Sequence, residues 1–227
     1  MNYFLTGCDK NTEWQLPWFT NNYAESGTKT DLVIADFGMT EKGRKFAEEN
    51  SNFVIDAPKM GWFSKVYSMW KMIHFFKEDD KFCWIDTDCE IKGYPDTIFD
   101  YVEKNKLTMV VDHPWTENGS PWTPQGIYGP WYNSGVVAFQ GRPPILGYWF
   151  NEVRDDTDQR RHRGDQEALY WLLNQDPMNR VVHIHEAPHK YNVLRLDVLQ
   201  KRVPKNPVIM HWTGQKGKEE IIRQMKL

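Results

Sequence analysis

The stretch that decides the fold reads Lys81-Phe82-Cys83-Trp84-Ile85-Asp86-Thr87-Asp88-Cys89-Glu90. Its short apolar run, bounded by charged residues, predicts a buried β-strand. The two carboxylates that follow are spaced one residue apart, so they lie on one side of a continuing strand or close on one point in a turn. Open α/β sheets bind ligands at the carboxyl edge of such strands.

The paired carboxylates predict a site for a divalent cation. Asp86 and Asp88 repel each other unless a positive charge lies between them. Mg²⁺ and Mn²⁺ prefer oxygen ligands, and phosphate groups commonly complete their coordination. The alternative from the residues alone is a polar turn at the end of a strand.

The composition is that of one globular domain, predicted to span residues 1–227. The net charge of -3 argues against a surface devoted to polyanions, although basic residues outnumber acidic ones from residue 180 onward. Eleven Trp and 15% aromatic residues indicate either an aromatic core or a site for a sugar or a base. The three cysteines show no metal-ligand spacing and predict reduced thiols, which together with the lack of a leader or apolar span predicts a cytoplasmic protein.

Strands and helices alternate along the chain. Strands are predicted at residues 2–6, 31–37, 53–55, 82–85, 107–111, 136–139, 181–184 and 207–210, with helices at 16–25, 40–50, after Gly61, at 94–104, 144–153, from Gly164 and after Lys218. Ser64 and Asp165 are candidate N-caps. Lys65 in a first helical turn opposes the helix dipole and therefore suggests a nearby anion.

Residues 114–132 are rich in Pro, Gly and Trp and show no periodicity. A loop of this length in a compact domain is usually functional. We expect a lid that contacts an acceptor and closes to exclude water, with Asp112, His113, Trp115 and Trp131 as acceptor-binding candidates.

Four motifs occur in one order. They are Asp86-Thr87-Asp88 after a strand, Asn133-Ser134-Gly135 before a strand, Gly164-Asp165-Gln166 at a helix start, and His211-Trp212-Thr213-Gly214 followed by lysines. Together they resemble GT-A glycosyltransferases, most closely the retaining branch that includes glycogenin and lipopolysaccharide galactosyltransferases. The resemblance implies an α/β, Rossmann-like GT-A fold with a mixed, mostly parallel sheet flanked by helices.

The resemblance also implies a function. A sugar would move from a nucleotide-sugar donor, a UDP-sugar by resemblance, to a hydroxyl of a glycan or glycolipid acceptor with retention of configuration. Mn²⁺ or Mg²⁺ would be held by Asp86, Asp88 and His211. Asp165 and Gln166 would lie at the reacting carbon, as nucleophile and stabiliser. Donor contacts would come from Thr6, Gly7, Cys8, Lys65, Asp86, Thr87, Asn133, Ser134, Gly214, Lys216 and Lys218.

The sequence departs from the family pattern at Gly217. Glycogenin-like enzymes carry a lysine there, followed by Pro-Trp, so either Lys216 or Lys218 could grip the diphosphate. An inverting enzyme would instead need a carboxylate base, for which Asp112 or Glu167 could serve.

Other functions stay open at this stage. A phosphatase with an Asp-x-Asp strand would have Thr or Val where Glu90 stands, and a nucleotidyltransferase would have a more basic, Gly-rich turn than residues 7–10. A sugar-nucleotide- or glycan-binding protein without catalysis would carry the same residues. The basic run of residues 160–163 also suggests a modified base in phage DNA as acceptor, flipped onto aromatic side chains. Oligomeric state is not indicated.

Overall fold

The computed structural model describes residues 1–119, 129–155 and 161–226 of the chain. Its strands are β1 (Asn2–Cys8), β2 (Asp31–Asp36), β3 (Phe53–Asp56), β4 (Lys81–Ile85), β5 (Cys89–Ile91), β6 (Leu107–Val111), β7 (Tyr132–Gln140), β8 (Ile184–Glu186), β9 (Val193–Leu194) and β10 (Ile209–His211). Its helices are α1 (Leu16–Glu25), α2 (Glu41–Asn50), α3 (Ser64–Phe75), α4 (His113–Asn118), α5 (Pro144–Arg154), α6 (Asp165–Asn174), α7 (Pro177–His183), α8 (Arg195–Leu199) and α9 (Gly214–Met225).

The main sheet has the strand order β3-β2-β1-β4-β7-β6-β8. Strand β7 runs antiparallel to both β4 and β6, and the other neighbours are parallel. The amino end of β7 therefore meets the carboxyl ends of β1, β4 and β6 at one edge. This mixed, mostly parallel sheet flanked by helices confirms the predicted fold class.

A second sheet has the order β5-β10-β9 and begins where the main sheet ends. Strand β5 starts one residue after Asp88, and β10 pairs antiparallel with it so that His211 lies opposite Cys89. The register brings the C-terminal His211 beside the carboxylates that follow β4.

Alternating residues of the central strands fill two cores, because successive side chains of a strand face opposite sides of the sheet. Leu5 and Trp84 belong to one core, which Phe63 and Trp149 complete. Phe4 and Cys83 belong to the other, with Tyr191.

Several predicted elements differ from the structure. The strand predicted at 181–184 begins only at residue 184, as β8, because residues 181–183 belong to α7. Asp176 caps α7 by accepting a hydrogen bond from the Met178 N–H, and Val181 and Val182 are exposed on this helix. Residues 95–101 form a 3-10 helix rather than an α-helix that reaches residue 104. The N-caps of α3 and α6 are Phe63 and Gly164, so the predicted N-caps Ser64 and Asp165 are instead the first residues of these helices.

The predicted loop 114–132 is partly regular. Helix α4 occupies its first residues because the Asp112 carboxylate caps it through the Trp115 N–H, and β7 already begins at Tyr132. Residues 120–128 of the expected lid lie outside the described residues. Among the described residues, no helix is both long and apolar enough to span a membrane.

Candidate active site

Asp86 and Thr87, which follow β4, are held by hydrogen bonds to other parts of the fold. The Trp84 indole N–H donates to Asp86 Oδ1 at 2.6 Å, and Lys65 Nζ donates to Asp86 Oδ2 at 2.9 Å. The Thr87 hydroxyl donates to Gln15 Oε1 at 2.6 Å. Asp88 is thereby left to face His211, whose Nε2 lies 3.1 Å from Asp88 Oδ1 and 4.0 Å from Asp86 Oδ2.

His211 fits against β7 because residue 135 is glycine. A Cβ built on Gly135 would lie 2.1 Å from His211 Cε1 and 2.4 Å from Nδ1, far inside van der Waals contact. The Nδ1 atom lies 3.1 Å from Asn133 Oδ1 and 3.2 Å from Asn192 Oδ1. The His211 ring is thus enclosed on one edge by amides and presents its other edge to the carboxylates.

Burial and charge shift the titration of this group. Burial raises the pKa of Asp86, an effect that Lys65 opposes and Asp88 reinforces. Burial also works against ionisation of Asp88, but His211 outweighs it and lowers the pKa of Asp88. Burial disfavours the cationic form of His211, yet Asp88 overrides it and raises the pKa of His211. Close opposite charges therefore outweigh desolvation at Asp88 and His211, whereas at Asp86 burial and the charge of Asp88 outweigh Lys65.

The residues grouped most tightly around a candidate cation position are Asp88, Cys89 and His211, with ligand atoms within 4.8 Å of one another. Asp86 lies outside that group because its carboxylate is turned toward Lys65 and Trp84. The Cys89 thiol contacts the Gly135 carbonyl at 3.9 Å, and burial raises its pKa well above the ordinary value. A protonated thiol is a poor ligand, and Mg²⁺ and Mn²⁺ prefer oxygen ligands, to which Mn²⁺ can add an imidazole nitrogen. The donor set thus fits such an ion through Asp88 and His211, with Asp86 adjacent.

Lys65 lies at the centre of a buried ionic cluster. Its Nζ is 2.9 Å from Asp86 Oδ2, 3.3 Å from Asp165 Oδ2 and within 3.3 Å of both Ser134 oxygens. Burial lowers the pKa of Lys65, but Asp165 and Asp86 outweigh burial and raise it. The anion expected near Lys65 is therefore supplied by the protein itself, and the cluster joins the ends of β4, β7 and α6.

A second polar cluster adjoins it. Asn133 Nδ2 donates to Asp112 Oδ2 at 3.3 Å and to Gln166 Oε1 at 3.1 Å, and Gln166 Nε2 donates to Asp112 Oδ2 at 3.1 Å. Burial raises the pKa of Asp112, which is 3% exposed. The structure thus brings together three separate segments of the chain, with Asp112, then Asn133 and Ser134, then Asp165 and Gln166.

A cavity of about 320 Å³ opens beside the carboxylates. Its walls include Gly7, Cys8, Asp9, Asn11, Thr12, Gln15, Phe37, Lys59, Gly61, Trp62, Lys65, Trp84, Asp86, Thr87, Asp88 and Lys218. Lys218 is thus a wall residue beside the Asp86–Asp88 edge, and the turn after β1 supplies much of the rest.

The cavity distinguishes the two C-terminal lysines. Lys218 lines it and is half-buried, whereas Lys216 is exposed and neither Lys216 nor Gly214 is a wall residue. Between them, a Cβ on Gly217 would lie 1.8 Å from the Trp212 carbonyl oxygen. The backbone here has no room for the lysine of the family pattern, which accounts for the departure.

Two other predicted contacts, Thr6 and Trp131, are buried away from the cavity wall. Thr6 is fully buried and is not a wall residue, in contrast to Gly7 and Cys8. Trp131 is 1% exposed and stacks on Tyr170, so its side chain packs in the protein interior. His113 and Trp115 are half-buried on α4 and stay candidates.

Residues 161–163, the described part of the basic turn, form contacts with other residues of the protein. Arg161 Nη1 lies 3.1 Å and His162 Nε2 2.8 Å from Glu152 Oε1. The Arg163 N–H donates to Glu167 Oε2 at 2.7 Å. These contacts reduce the support for DNA as an acceptor and occupy Glu167, one of the two candidate bases.

Sequence reasoning missed Cys89, Asn192 and Trp62. Trp62 is 64% exposed on the cavity wall and 3.6 Å from a Cβ built on Gly164, beside Asp165. The surplus of tryptophan was the available signal for Trp62. No signal in the sequence pointed to Asn192, because its role depends on a contact between residues 19 positions apart.

Solved structures of glycosyltransferases share this fold. The structure of the galactosyltransferase LgtC with donor and acceptor sugar analogs superposes with a TM-score of 0.72 at 14% identity, covering 100% of this chain and 94% of that one. A glycosyltransferase involved in glycosylation of the major capsid of PBCV-1 gives 0.59 at 12% identity, covering 100% and 99%. Mouse xyloside xylosyltransferase 1 gives 0.55 at 16% identity, covering 93% and 97%.

The likeness lies in the fold. No protein-family model matches the chain, and a search of curated protein sequences finds no match. At these identities the comparison confirms the GT-A fold that the motif order implies, and the structural neighbours are sugar-transferring enzymes.

Proposed function

We propose that the protein is a metal-dependent glycosyltransferase that moves a sugar from a nucleoside-diphosphate sugar, of which a UDP-sugar is the best candidate, to an acceptor hydroxyl. The observation that carries the proposal is the cavity whose wall includes both the Asp86–Asp88 edge and Lys218. A carboxylate-bound cation together with an ammonium group suits a diphosphate, whose negative charge each of them neutralises.

The proposed metal site uses residues that the fold brings together. Asp88 and His211 would hold Mn²⁺ or Mg²⁺, with Asp86 as the third ligand. A bound cation would supply Lewis-acid stabilisation of the leaving diphosphate. The nucleoside would occupy the part of the cavity formed by the turn after β1, where Gly7, Cys8 and Gln15 line the wall.

The polar cluster supplies a place for the sugar. Asp112, Asn133 and Gln166 offer amide and carboxylate groups that suit hydroxyls, and Asp165 lies beside them on the Lys65 side. During transfer the bond from the anomeric carbon to the diphosphate oxygen breaks and a bond to the acceptor oxygen forms. The electron pair leaves with the diphosphate, and the proton of the acceptor hydroxyl passes to the leaving diphosphate oxygen.

The contacts favour retention over inversion. Asp112 accepts hydrogen bonds from Trp115 N–H, Asn133 and Gln166, and Glu167 accepts one from Arg163 N–H. Each candidate for the base of an inverting enzyme thus already accepts hydrogen bonds from the fold on its carboxylate. Asp165 is 6% exposed and balanced by Lys65, so it is suited to stabilise positive charge on the anomeric carbon or to attack it.

Thermal unfolding with nucleotides tests the donor site. We expect Mn²⁺ plus UDP at 100 times its dissociation constant to add about 2.7 kcal/mol to the free energy of unfolding. For a chain of this size, that corresponds to a rise in Tm of roughly 5–11 °C. Asp88→Ala should remove the metal-dependent part, while Cys89→Ser should keep it because the thiol is not proposed as a ligand.

Two results would contradict the proposal. One is the absence of a shift with every nucleoside diphosphate and sugar nucleotide tested, with Mn²⁺ or Mg²⁺. The other is binding without release of UDP from any UDP-sugar in the presence of mixed glycan acceptors, which would favour a binding protein without catalysis. With a turned-over donor in hand, NMR of the anomeric proton of the product decides between retention and inversion.

A further inference from the structure

On the side of its ring away from the carboxylates, His211 contacts the side-chain amides of Asn133 and Asn192. These contacts indicate how the ring is oriented toward a cation site. We propose that Asn192, together with Asn133, is a positioning residue that holds the proton of His211 on Nδ1, so that the Nε2 lone pair is presented to a divalent cation. This inference rests on the metal site of the proposed function. Asn192 itself touches neither the cavity nor the carboxylates among the contacts described above.

On the edge of the His211 ring that faces the amides, both contacts of Nδ1 are to amide oxygens, which are hydrogen-bond acceptors. Nδ1 of His211 lies 3.1 Å from Asn133 Oδ1 and 3.2 Å from Asn192 Oδ1. All three side chains are buried, with exposures of 5% for His211, 6% for Asn133 and 1% for Asn192. A buried nitrogen between two carbonyl oxygens carries a proton, because an unprotonated nitrogen there would face two lone pairs without a donor.

The orientation of the Asn133 amide is set by groups other than His211. The backbone N–H of Gly135 donates to Asn133 Oδ1 at 2.9 Å. On the opposite side, Asn133 Nδ2 faces Asp112 Oδ2 at 3.3 Å, and a carboxylate accepts hydrogen bonds. Rotating the amide by half a turn would set its NH₂ against the Gly135 N–H and its oxygen against the Asp112 carboxylate. The oxygen therefore faces His211.

The orientation of Asn192 follows from that of Asn133. Asn192 Nδ2 donates to Asn133 Oδ1 at 2.9 Å, which turns Asn192 Oδ1 toward His211. The chain of contacts thus runs from the β7 backbone through two amides to one ring nitrogen. Metal-bound histidines generally donate their second N–H to an oxygen, which fixes the tautomer and the ring orientation.

The other ring nitrogen is where the cation would bind. Nε2 faces Asp88 Oδ1 at 3.1 Å. With Nδ1 protonated, the neutral ring offers its lone pair to the same point as the Asp88 carboxylate. Without Asn192, one of the two acceptors for Nδ1–H disappears and the ring gains freedom to rotate or to exchange tautomers.

The test is the affinity for Mn²⁺ alone, measured by electron paramagnetic resonance without nucleotide or sugar. We expect Asn192→Ala to weaken Mn²⁺ binding by roughly 10- to 100-fold, the usual effect of removing such a supporting partner. The matched control is Tyr191→Phe, which removes a fully buried hydroxyl at the neighbouring position, bonded to Thr97 Oγ1 at 2.9 Å, and should leave Mn²⁺ affinity unchanged.

A spectroscopic measurement separates positioning from general destabilisation. In the ¹⁵N NMR spectrum of the Mg²⁺-loaded wild-type protein, we expect His211 as the single tautomer with a protonated Nδ1, assigned by its loss in His211→Gln. Asn192→Ala should give a mixture of tautomers, and Tyr191→Phe should not.

The outcomes are distinct. A folded Asn192→Ala protein with wild-type Mn²⁺ affinity would overturn the inference, as would an unprotonated Nδ1 in the wild type. The second result decides the matter even if Asn192→Ala does not fold. A wild-type protein that binds no divalent cation would overturn the metal site of the proposed function as well. Unchanged Mn²⁺ affinity in Asn192→Ala would overturn only the role of Asn192 and would leave that function standing.

Discussion

At the scale of single residues, Lys65 shows how charge is balanced inside the site. The cation is 7% exposed and touches Asp86, Asp165 and Ser134, so it neutralises carboxylates that would otherwise repel each other. The sequence suggested that Lys65 lies near an anion, because a lysine in a first helical turn opposes the dipole. The sequence could not show that the anions belong to the protein, since they come from positions 21 and 100 residues further along the chain.

Lys65→Met should destabilise the metal-free protein by about 3–5 kcal/mol, because removing one partner leaves buried charges uncompensated. Urea unfolding measures the loss. The double variant Lys65→Met/Asp165→Asn should recover part of it, since one of the unbalanced carboxylates is then neutral. A single variant within 0.5 kcal/mol of wild type would show that the cluster contributes little to stability.

At the scale of elements, the position of each strand decides which residues meet. The apolar run before Asp86 was sufficient to predict β4 and its edge, and the four motifs in order implied the fold that the structure has. The sequence did not predict that β7 starts at Tyr132, so that Asn133 and Ser134 lie within a strand. It also missed β5 and β9, because strands of two or three residues form through their partners rather than through a pattern of their own.

Strand β7 yields a prediction at Gly135. Gly135→Ala places a methyl group where the His211 ring lies, so the ring must move away from Asp88. We expect at least a 10-fold loss of Mn²⁺ affinity in a protein that still folds. Gly147→Ala is the control, because a Cβ there meets nothing within 4 Å and α5 favours alanine. Equal Mn²⁺ affinity in both variants would contradict the packing argument.

Helix α9 yields a prediction about its two lysines. Lys218→Ala should weaken UDP binding in the presence of Mn²⁺ by roughly 10- to 100-fold, which matches about 1.5–3 kcal/mol for a hydrogen bond to a charged group. Lys216→Ala, two positions away on the exposed face, should change it less than threefold. Isothermal titration calorimetry measures both affinities. The reverse order of effects would assign the phosphate contact to Lys216.

At the scale of the whole molecule, the candidate site joins segments from both ends of the chain. Asp88 follows a strand of the main sheet, His211 belongs to the second sheet, and Lys218 lies on the last helix. A ligand that touches all three couples these parts, because it binds the folded arrangement and not its separated pieces. Asn192 and Trp62 escaped prediction for the same reason, since their surroundings exist only once distant segments meet.

Hydrogen exchange should report this coupling. Mn²⁺ plus UDP should slow amide exchange in β10 and α9 as well as at the β4 edge, while α2, which supplies no residue to the cavity, should keep its rates. Removing the cation with EDTA should reverse most of the protection. Protection confined to the turn after β1 would mean that the nucleotide binds without engaging the C-terminal segment.

The three cysteines have a practical consequence. Cys8, Cys83 and Cys89 are all free, all at most 1% exposed, and burial raises the pKa of each thiol. Maleimides and other thiol reagents attack the thiolate, so the folded wild-type chain should remain unlabelled. A cysteine introduced at an exposed position such as Met178, which is 58% exposed, would then carry a fluorophore or spin label alone. The native sequence is therefore already a background for single-site labelling, without replacing any of its own cysteines.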